Sequence, residues 1–370
     1  MHAWFFWHIG SHFIASFTLI TGIFFYFINK DCFYITKIKL ITIYLYLGVS
    51  FYINSKQMSL GTFINPLPIV FFILLNNEIQ SKIITFITKA YSILLLISLS
   101  IWILLLVGVN LPGGKLISYD AWSAYEYKNY YLCLQNTKIY LFRFNSIFLE
   151  PGHTGLVAAF LLFINRLNFR NKYLWPIFLA LIFTLSLAGY VLLLISILLY
   201  STLIAKGGVR NIIILSFVFF GLFLFFINYN NGDNYVNNHI LTRLQFVDGN
   251  IAGNNRTGSE MDRYFSRFVE SSNFLFGIGP EAYEKTGLMV GNSGYKVFFI
   301  INGLIGVILT FILYLFFSLN KSSRESYLLL ALYCVNFIQR ANPFWSILVL
   351  IFIGGISLMN EKKSLDISYV

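Results

Sequence analysis

Three side chains that can bind anions or transfer protons precede a long apolar stretch in the segment LFRFNSIFLEPGHTGLVAAFLLF, residues 141–163. Arg143 presents a planar fork of N–H donors, which matches the oxygens of a phosphate group and keeps its charge at physiological pH. Glu150 and His153 can each accept a proton from a hydroxyl group. The spacing therefore indicates an anion-binding group beside a general base.

The apolar stretch predicts a helix that begins at Pro151, because proline suits the first helical position. The backbone N–H groups of a first helical turn lack partners, and together with the helix dipole they attract anions such as pyrophosphate. Arg143 would complete that anion site. Glu150 then either pairs with Arg143 or serves as base, and His153 is the alternative base. Two simpler interpretations stay open, a helix N-cap carboxylate for Glu150 and a hydrogen-bonded helix-start residue for His153.

A second group of arginines lies in the segment NNRTGSEMDRYFSRFVESSNF, which follows an asparagine-rich lead. Arg263 and Arg267 are one helical turn apart, and Arg256 precedes Arg263 by seven positions. The three arginines are candidates for binding phosphate oxygens in a bidentate manner. The alternative is a solvated amphipathic helix in which Glu260 pairs with Arg263 and Arg267 pairs with Glu270 at i,i+3 spacing.

The composition predicts a membrane protein, because 58% of the residues are hydrophobic and only 11% are charged. A soluble domain with this composition would expose an unmanageable apolar surface. The net charge of +11 is spread in short clusters between apolar segments, a pattern that sets membrane topology, so nucleic acid is excluded as a partner. The three cysteines are far apart without metal-ligand spacing, which predicts neither disulfide bonds nor a zinc site.

The positions of the apolar segments predict an all-α polytopic membrane protein with about eleven transmembrane helices, forming a single integral membrane domain over residues 1–370. The segment 174–205 is too long for one crossing and is divided near residues 186–189. The predicted helices occupy residues 4–28, 40–53, 60–75, 90–109, 151–164, the two halves of 174–205, 212–227, 297–317, 327–338 and 344–358.

Basic residues in the short connections give the orientation, since cytoplasmic loops carry the excess of lysine and arginine. The alternate connections carry only Lys56 and Arg340, so the polar loops 110–145 and 228–292 are predicted to face away from the cytoplasm. Arg340 is thus a further candidate for anion binding, or else a helix-end side chain that reaches lipid headgroups. The predicted cytoplasmic set is Lys30, Lys37, Lys39, Lys82, Lys89, Arg166, Arg170, Lys172, Lys206, Arg210, Lys321, Arg324, Lys362 and Lys363.

Three stretches resemble the bacterial O-antigen polymerase and ligase superfamily, which includes the Wzy-type repeat-unit polymerases. They are RFNSIFLEPGHTG at 143–155, TLSLAGYVLLL at 184–194, and FLFGIGPEAY followed by NGLIGVILTFILY within 274–314. The second stretch departs from the family pattern, because Leu187 and Ala188 stand where a basic residue often occurs. The first stretch is the most specific of the three.

The resemblance implies a GT-C-like membrane glycosyltransferase of the bacterial cytoplasmic (inner) membrane, with its active site facing away from the cytoplasm. Its substrate would be an oligosaccharide linked to undecaprenyl pyrophosphate, and it would use no cofactor and no metal. A flippase and a chain-length regulator would be its protein partners. Glu150 is then the leading base, followed by His153 and His239. The residues expected to bind pyrophosphate are Arg143, Arg256, Arg263, Arg267 and Arg340.

The stretch EPGHTG favours a polymerase that makes O-antigen, capsule or exopolysaccharide, within lipopolysaccharide or related polysaccharide biosynthesis. An O-antigen ligase is the alternative within the same superfamily. A flippase for the same lipid-linked unit is the alternative from another class. A transporter would carry charges inside its membrane spans, and few of the predicted spans contain any.

Overall fold

The structure is a computed structural model of the chain and is mostly helical. The predicted site residues Arg256 and His239 lie outside the described residues, and so does the predicted start of the first helix at residue 4. The described residues are 9, 11–56, 58–118, 126–137, 143–203, scattered positions between 210 and 251, 259–288, 294–320 and 323–368.

The helices of the first hundred residues begin at polar caps. Thr36 accepts a hydrogen bond from the Lys39 N–H, and Asn76 accepts one from the Ile79 N–H, so the N-termini of two helices are satisfied by side chains. The segment 60–75, predicted as one helix, is two helices, because the chain turns at Pro66. The helices are α1 (Ser11–Ile28), α2 (Lys37–Asn54), α3 (Leu60–Ile64), α4 (Leu67–Leu74) and α5 (Asn77–Leu106).

The predicted helices at 151–164, in the two halves of 174–205, and at 297–317, 327–338 and 344–358 are present, whereas the predicted helix at 212–227 lies largely outside the described residues. The predicted division of 174–205 is confirmed, and it falls at a turn where Leu185 has a positive φ of 47°. The helices are α6 (Pro151–Ile164), α7 (Leu174–Phe183), α8 (Leu187–Leu203), α9 (Ser259–Val269), α10 (Pro280–Glu284), α11 (Tyr295–Leu319), α12 (Arg324–Gln339) and α13 (Ser346–Ser368).

The prediction of an all-α fold is wrong in the polar loops, which contain two small antiparallel sheets. Strands β1 (Lys115–Ser118), β2 (Glu126–Asn129) and β3 (Leu134–Asn136) form a meander in which β2 is central. Strands β4 (Phe246–Val247) and β5 (Asn250–Ile251) form a hairpin. The meander has its own core, in which Tyr127, Leu134 and Leu149 are buried. Strands of three or four residues are too short to show a clear alternation in the sequence.

Among the helices that the structure describes, α1, α5 and α11 are long and apolar enough to cross a membrane. A helix needs about 20 apolar residues to cross a hydrocarbon core of about 30 Å. Shorter apolar helices occur at Leu60–Leu74, Pro151–Ile164, Leu174–Phe183, Leu187–Ser201 and Ser346–Glu361. The chain is therefore a membrane protein by composition and helix length, and the total of about eleven spans stays a prediction.

The chain forms two compact units. The first comprises Met1–Leu193, Phe311–Leu332 and Pro343–Val370, and the second comprises Leu194–Thr310 and Tyr333–Asn342. In the first unit α13 packs along α5 and also contacts α6. Gly355 makes the second contact possible, because a Cβ atom there would lie 2.6 Å from a side-chain carbon of Ile164. Small residues allow such close packing of apolar helices.

A largely buried ion pair joins three elements of the first unit. Arg166, in the turn after α6, donates from Nη2 to both carboxylate oxygens of Glu325 at 3.0 and 3.1 Å, and Glu325 lies in the first turn of α12. The same nitrogen donates to the carbonyl oxygen of Met359 in α13 at 2.8 Å. The side chains are only 13% and 9% exposed. The charged groups therefore hold the end of α6, the first turn of α12 and the middle of α13 together.

In the second unit, the loop after α9 docks onto an interruption in α11. Gly303 has φ +69° and ψ −179°, which frees the carbonyl groups that precede it from the helical pattern. The N–H groups of Ile278 and Gly279 donate to the carbonyl oxygens of Ile300 and Ile301 at 2.8 and 3.0 Å. These contacts join FLFGIGPEAY to NGLIGVILTFILY, the two parts of the third stretch described above.

Replacing Gly303 by alanine is expected to destabilise the protein by about 1–3 kcal/mol through backbone strain alone, because this backbone region is open essentially only to glycine. A Cβ atom at Gly303 would also collide with the carbonyl group of Leu275. Thermal unfolding of the purified protein in detergent measures the effect. Gly48→Ala in α2 is the matched control, since a Cβ atom there meets nothing within 4 Å. Equal melting temperatures for the two variants would contradict the prediction.

Candidate active site

The candidate site lies at the start of α6, which begins at Pro151 as predicted. Glu150 occupies the N-cap position with extended backbone angles, φ −126° and ψ 143°, but its side chain makes no capping hydrogen bond. The interpretation of Glu150 as a helix-capping carboxylate is therefore wrong. The side chain is partly exposed, whereas the residues of α6 that follow it are buried. The carboxylate therefore lies at the edge of a buried helix.

A network of hydrogen bonds fixes the backbone that carries Glu150. Thr154 donates from Oγ1 to the carbonyl oxygen of Asn145 at 2.6 Å. Asn145 donates from Nδ2 to the carbonyl oxygen of Leu149 at 3.3 Å. The hydroxyl group of Tyr127, from the central strand β2, donates to the same Leu149 oxygen at 2.9 Å. The small sheet thus supports the start of α6, a connection that the sequence did not reveal.

Arg143 connects this segment to the turn between α7 and α8. Its Nε donates to the carbonyl oxygen of Thr184 at 2.9 Å, and the neighbouring Phe144 N–H donates to the carbonyl oxygen of Phe183 at 3.0 Å. The turn supplies these acceptors because the helical pattern stops at Thr184. The guanidinium group therefore has a fixed position.

A close approach of two glycines packs α6 against α8 beside the same turn. A Cβ atom on Gly189 would lie 3.3 Å from the Cα atom of Gly155, tighter than ordinary van der Waals contact. Gly155 ends the stretch RFNSIFLEPGHTG, and Gly189 lies in TLSLAGYVLLL. The first two resembling stretches therefore form one contiguous structure within the first unit.

His153 is buried among aromatic rings, with 1% of its surface exposed. Its ring lies edge-on to Trp345 at a centroid distance of 5.5 Å, and edge-on to Phe148 at 6.4 Å. Trp345 immediately precedes α13 and was not singled out in the sequence. Of the two candidate bases, Glu150 is the one with access from outside the protein, and His153 would need its aromatic neighbours to move.

The candidate arginines of α9 lie on its exposed face. Met261 and Phe268 are buried on the opposite face, while Arg263 and Arg267 are exposed. Within the part of the chain that the structure describes, neither arginine forms an ion pair. The expected pairing with Glu260 and with Glu270 is therefore not formed among these residues.

The ion pair of this region involves residues that the sequence did not single out. Lys296 in α11 donates to Asp262 of α9 at 2.7 Å. Its ammonium group also lies 5.7 Å from the centre of the Phe265 ring, a cation–π contact. These contacts hold α9 against α11 and leave the exposed face of α9 to Arg263 and Arg267.

Arg340 follows the last residue of α12 and is 7% exposed. Its backbone N–H donates to the carbonyl oxygen of Asn336 at 2.8 Å, and the Asn336 amide lies 3.5 Å from the Arg340 carbonyl oxygen. This burial does not fit an arginine that reaches out to lipid headgroups. Arg340 belongs to the second unit with Arg263 and Arg267, whereas Arg143 belongs to the first.

No group of three or more histidine, cysteine, aspartate or glutamate side chains in the described ranges could hold a metal ion. The candidate groups are Glu150 and the buried His153 at the start of α6, and Arg143 against the turn between α7 and α8. Such a set suits anion binding and proton transfer at an oxygen atom.

Cys133, which precedes β3, is expected to resist alkylation in the folded protein. Its side chain is fully buried, and burial raises the pKa of its thiol from 9.0 to about 12. The thiolate is the reactive form, and at pH 8 its fraction is then roughly a thousandfold smaller. Because only the unfolded chain releases this proton between about pH 9 and 12, stability is expected to fall over that range.

Iodoacetamide labelling at pH 8 with peptide mass spectrometry measures this protection. The partly exposed Cys32 is the internal control. We expect Cys32 to be modified in the folded protein, and Cys133 only after denaturation. Equal modification of the two thiols before denaturation would show that Cys133 is accessible.

Comparison of the chain with protein-family models, with curated proteins and with solved structures finds no match. The resemblance to the O-antigen polymerase and ligase superfamily therefore rests only on the residues of the three stretches. The contacts of Arg143 with the α7–α8 turn, and of α9 with α11, are properties of this chain itself.

Proposed function

We propose that the chain is a membrane glycosyltransferase of the Wzy type. It would transfer a growing glycan from undecaprenyl pyrophosphate onto a lipid-linked repeat unit, in the inner membrane of a bacterium and on the side away from the cytoplasm. A GT-C-like arrangement of about eleven spans belongs to the same proposal. The observation that carries it is the hydrogen bond from Arg143 to Thr184, which joins the first two resembling stretches.

The proposed reaction forms a glycosidic bond at the anomeric carbon of the donor glycan. Glu150 accepts the proton of an acceptor hydroxyl group as the oxygen attacks that carbon. The bond between the carbon and the phosphate oxygen breaks, and its electron pair leaves with undecaprenyl pyrophosphate. The products are a glycan longer by one repeat unit, free undecaprenyl pyrophosphate and a protonated carboxyl group, which returns its proton to water.

The leaving pyrophosphate needs positive groups that are fixed before the reaction. Arg143 is suited to this role, because its Nε donates to the Thr184 carbonyl oxygen, a contact that helps to orient the guanidinium group. A fixed guanidinium group can bind two phosphate oxygens at once. Developing charge on the leaving group is stabilised without the rearrangement that a mobile lysine would require.

Block transfer involves two lipid pyrophosphates, one on the donor and one on the acceptor. The chain carries two groups of candidate arginines, Arg143 in the first unit and Arg263, Arg267 and Arg340 in the second. Arg263 and Arg267 are one turn apart on an exposed helical face, a spacing that suits neighbouring phosphate oxygens. A polymerase would need one group of arginines for the donor pyrophosphate and one for the acceptor pyrophosphate.

Deletion of the gene in its native host tests the proposal. Glycans are sized on surface material and on extracted undecaprenyl pyrophosphate. Single repeat units at the surface without long chains would support a polymerase. Full-length chains that remain on the lipid would show a ligase instead. Single units trapped on the cytoplasmic leaflet would contradict both enzymes and leave a flippase.

A further inference from the structure

A groove between α5 and α13 combines basic groups with apolar walls. It encloses 420 Å³, and its charged lining residues are Lys82, Lys89 and Glu361. Phe86 and Leu358 form its apolar walls. The hydroxyl groups of two further lining residues, Ser81 and Thr85, add hydrogen-bonding capacity. The groove lies entirely within the first unit and is separate from the start of α6.

The length of α5 places this groove at the level of lipid headgroups. The helix has 30 residues, which span about 45 Å at about 1.5 Å per residue. A hydrocarbon core of about 30 Å leaves about 15 Å, or ten residues, outside. The charged residues of α5 lie among its first 13 residues and the opposite end is wholly apolar, so the part that projects is the end that carries Lys82.

Aromatic side chains mark the same level. Lys89 lies 5.8 Å from the centre of the Tyr173 ring, just before α7, and Lys172 lies 5.6 Å from the same ring. The neighbouring Trp175 is 51% exposed. Tyrosine and tryptophan concentrate where headgroups meet the hydrocarbon core. The groove is thus flanked by groups that are typical of the membrane interface.

We propose that this groove binds the headgroup of an anionic glycerophospholipid, with its phosphate at Lys82 and Lys89 and an acyl chain along Phe86 and Leu358. Lys82 is 65% exposed and pairs with Glu78 one turn earlier, so its ammonium group stands at the edge of the groove. Glu361 opposes an anion, and Glu78 competes with the phosphate for Lys82, an exchange that costs little because that ion pair is exposed. Basic pockets between membrane helices suit such headgroups. The site is independent of the proposed glycosyl transfer.

Native mass spectrometry of the purified full-length protein in detergent tests the proposal. The protein is titrated with phosphatidylglycerol and with phosphatidylcholine of the same acyl chains. We expect tighter binding of phosphatidylglycerol. A double variant with Lys82→Gln and Lys89→Gln should lose roughly thirtyfold in affinity for it, because each basic side chain near a membrane surface contributes about fivefold. Glu361→Gln should strengthen binding.

The matched control replaces Lys30 and Lys37 by glutamine, two exposed lysines that are predicted to face the same side of the membrane and lie outside the groove. This control should bind phosphatidylglycerol like the unmodified protein. An equal loss in both double variants would show only a diffuse surface charge and overturn the site. Equal binding of the two lipids would overturn it too, and so would full competition by an equal concentration of inorganic phosphate.

Discussion

Replacing Glu150 by glutamine is expected to reduce polymer formation by a factor of about 10² to 10⁴, the contribution of a positioned general base. The amide group cannot accept the hydroxyl proton. It keeps the size and shape of the carboxylate at a partly exposed position. The fold should therefore be preserved. Complementation of the deletion strain and quantification of long-chain glycan measure the effect.

Glu284→Gln in α10 is the matched control, an exposed glutamate in the other polar loop. It should restore long chains fully. His153→Gln separates the two candidate bases, because His153 is buried against Trp345 and its loss should mainly lower the melting temperature. Normal polymer from Glu150→Gln, combined with an inactive but stably folded His153→Gln, would assign the base to His153.

Replacing Arg166 by methionine is expected to lower the free energy of unfolding by about 3–5 kcal/mol, the usual effect of removing one partner of a buried ion pair. Glu325 would remain as an uncompensated charge, and the Met359 carbonyl oxygen would lose its donor. Glu325→Gln should act in the same direction. A double variant with Arg166→Met and Glu325→Leu should recover part of the loss, since no charge stays buried.

Arg170→Met provides the control, because it makes the same substitution in the same connection at an exposed arginine. Its melting temperature in detergent should stay close to that of the unmodified protein. Equal melting temperatures for Arg166→Met and Arg170→Met would show that the ion pair contributes nothing to stability. A double variant with Arg166→Met and Glu325→Leu that is no more stable than Arg166→Met would also contradict the prediction, because removing the unpaired charge should restore stability.

Helix starts that have a local chemical cause were predictable from the sequence. The start of α6 at Pro151 follows from the fixed backbone angle of proline, and the division between α7 and α8 follows from the excess length of the apolar segment. The start of α5 at Asn77, rather than at residue 90, was missed because its first three turns are polar enough to resemble a loop.

Features that depend on distant parts of the chain were not predictable. The partners Arg166 and Glu325 are 159 positions apart, and nothing near either residue indicates the other. The loop at Gly277 supplies the hydrogen bonds that the helix loses at Gly303. The apolar pattern of the sequence continues through Gly303, so the sequence alone does not show the interruption. The burial of Arg340 likewise results from tertiary packing.

The candidate site was predictable in part, because Arg143, Glu150 and His153 are close neighbours in the chain. The sequence did not indicate that Thr184 orients Arg143, since that contact joins the segment before α6 to the turn between α7 and α8. It also did not indicate that aromatic rings enclose His153, because Trp345 is distant in the chain. The sequence thus identified the candidate residues, because they are neighbours in the chain. It did not show which of them are accessible, because that depends on residues far away in the chain.

Polymerisation by the purified protein is the most direct test of glycosyl transfer. The full-length chain in lipid nanodiscs is incubated with single lipid-linked repeat units extracted from the deletion strain. Glycans are then separated by length, and free undecaprenyl pyrophosphate is quantified. We expect a ladder of longer lipid-linked glycans, with one undecaprenyl pyrophosphate released per added unit and no ladder with Glu150→Gln. Repeat units that stay single in the presence of the folded protein would contradict the proposed function.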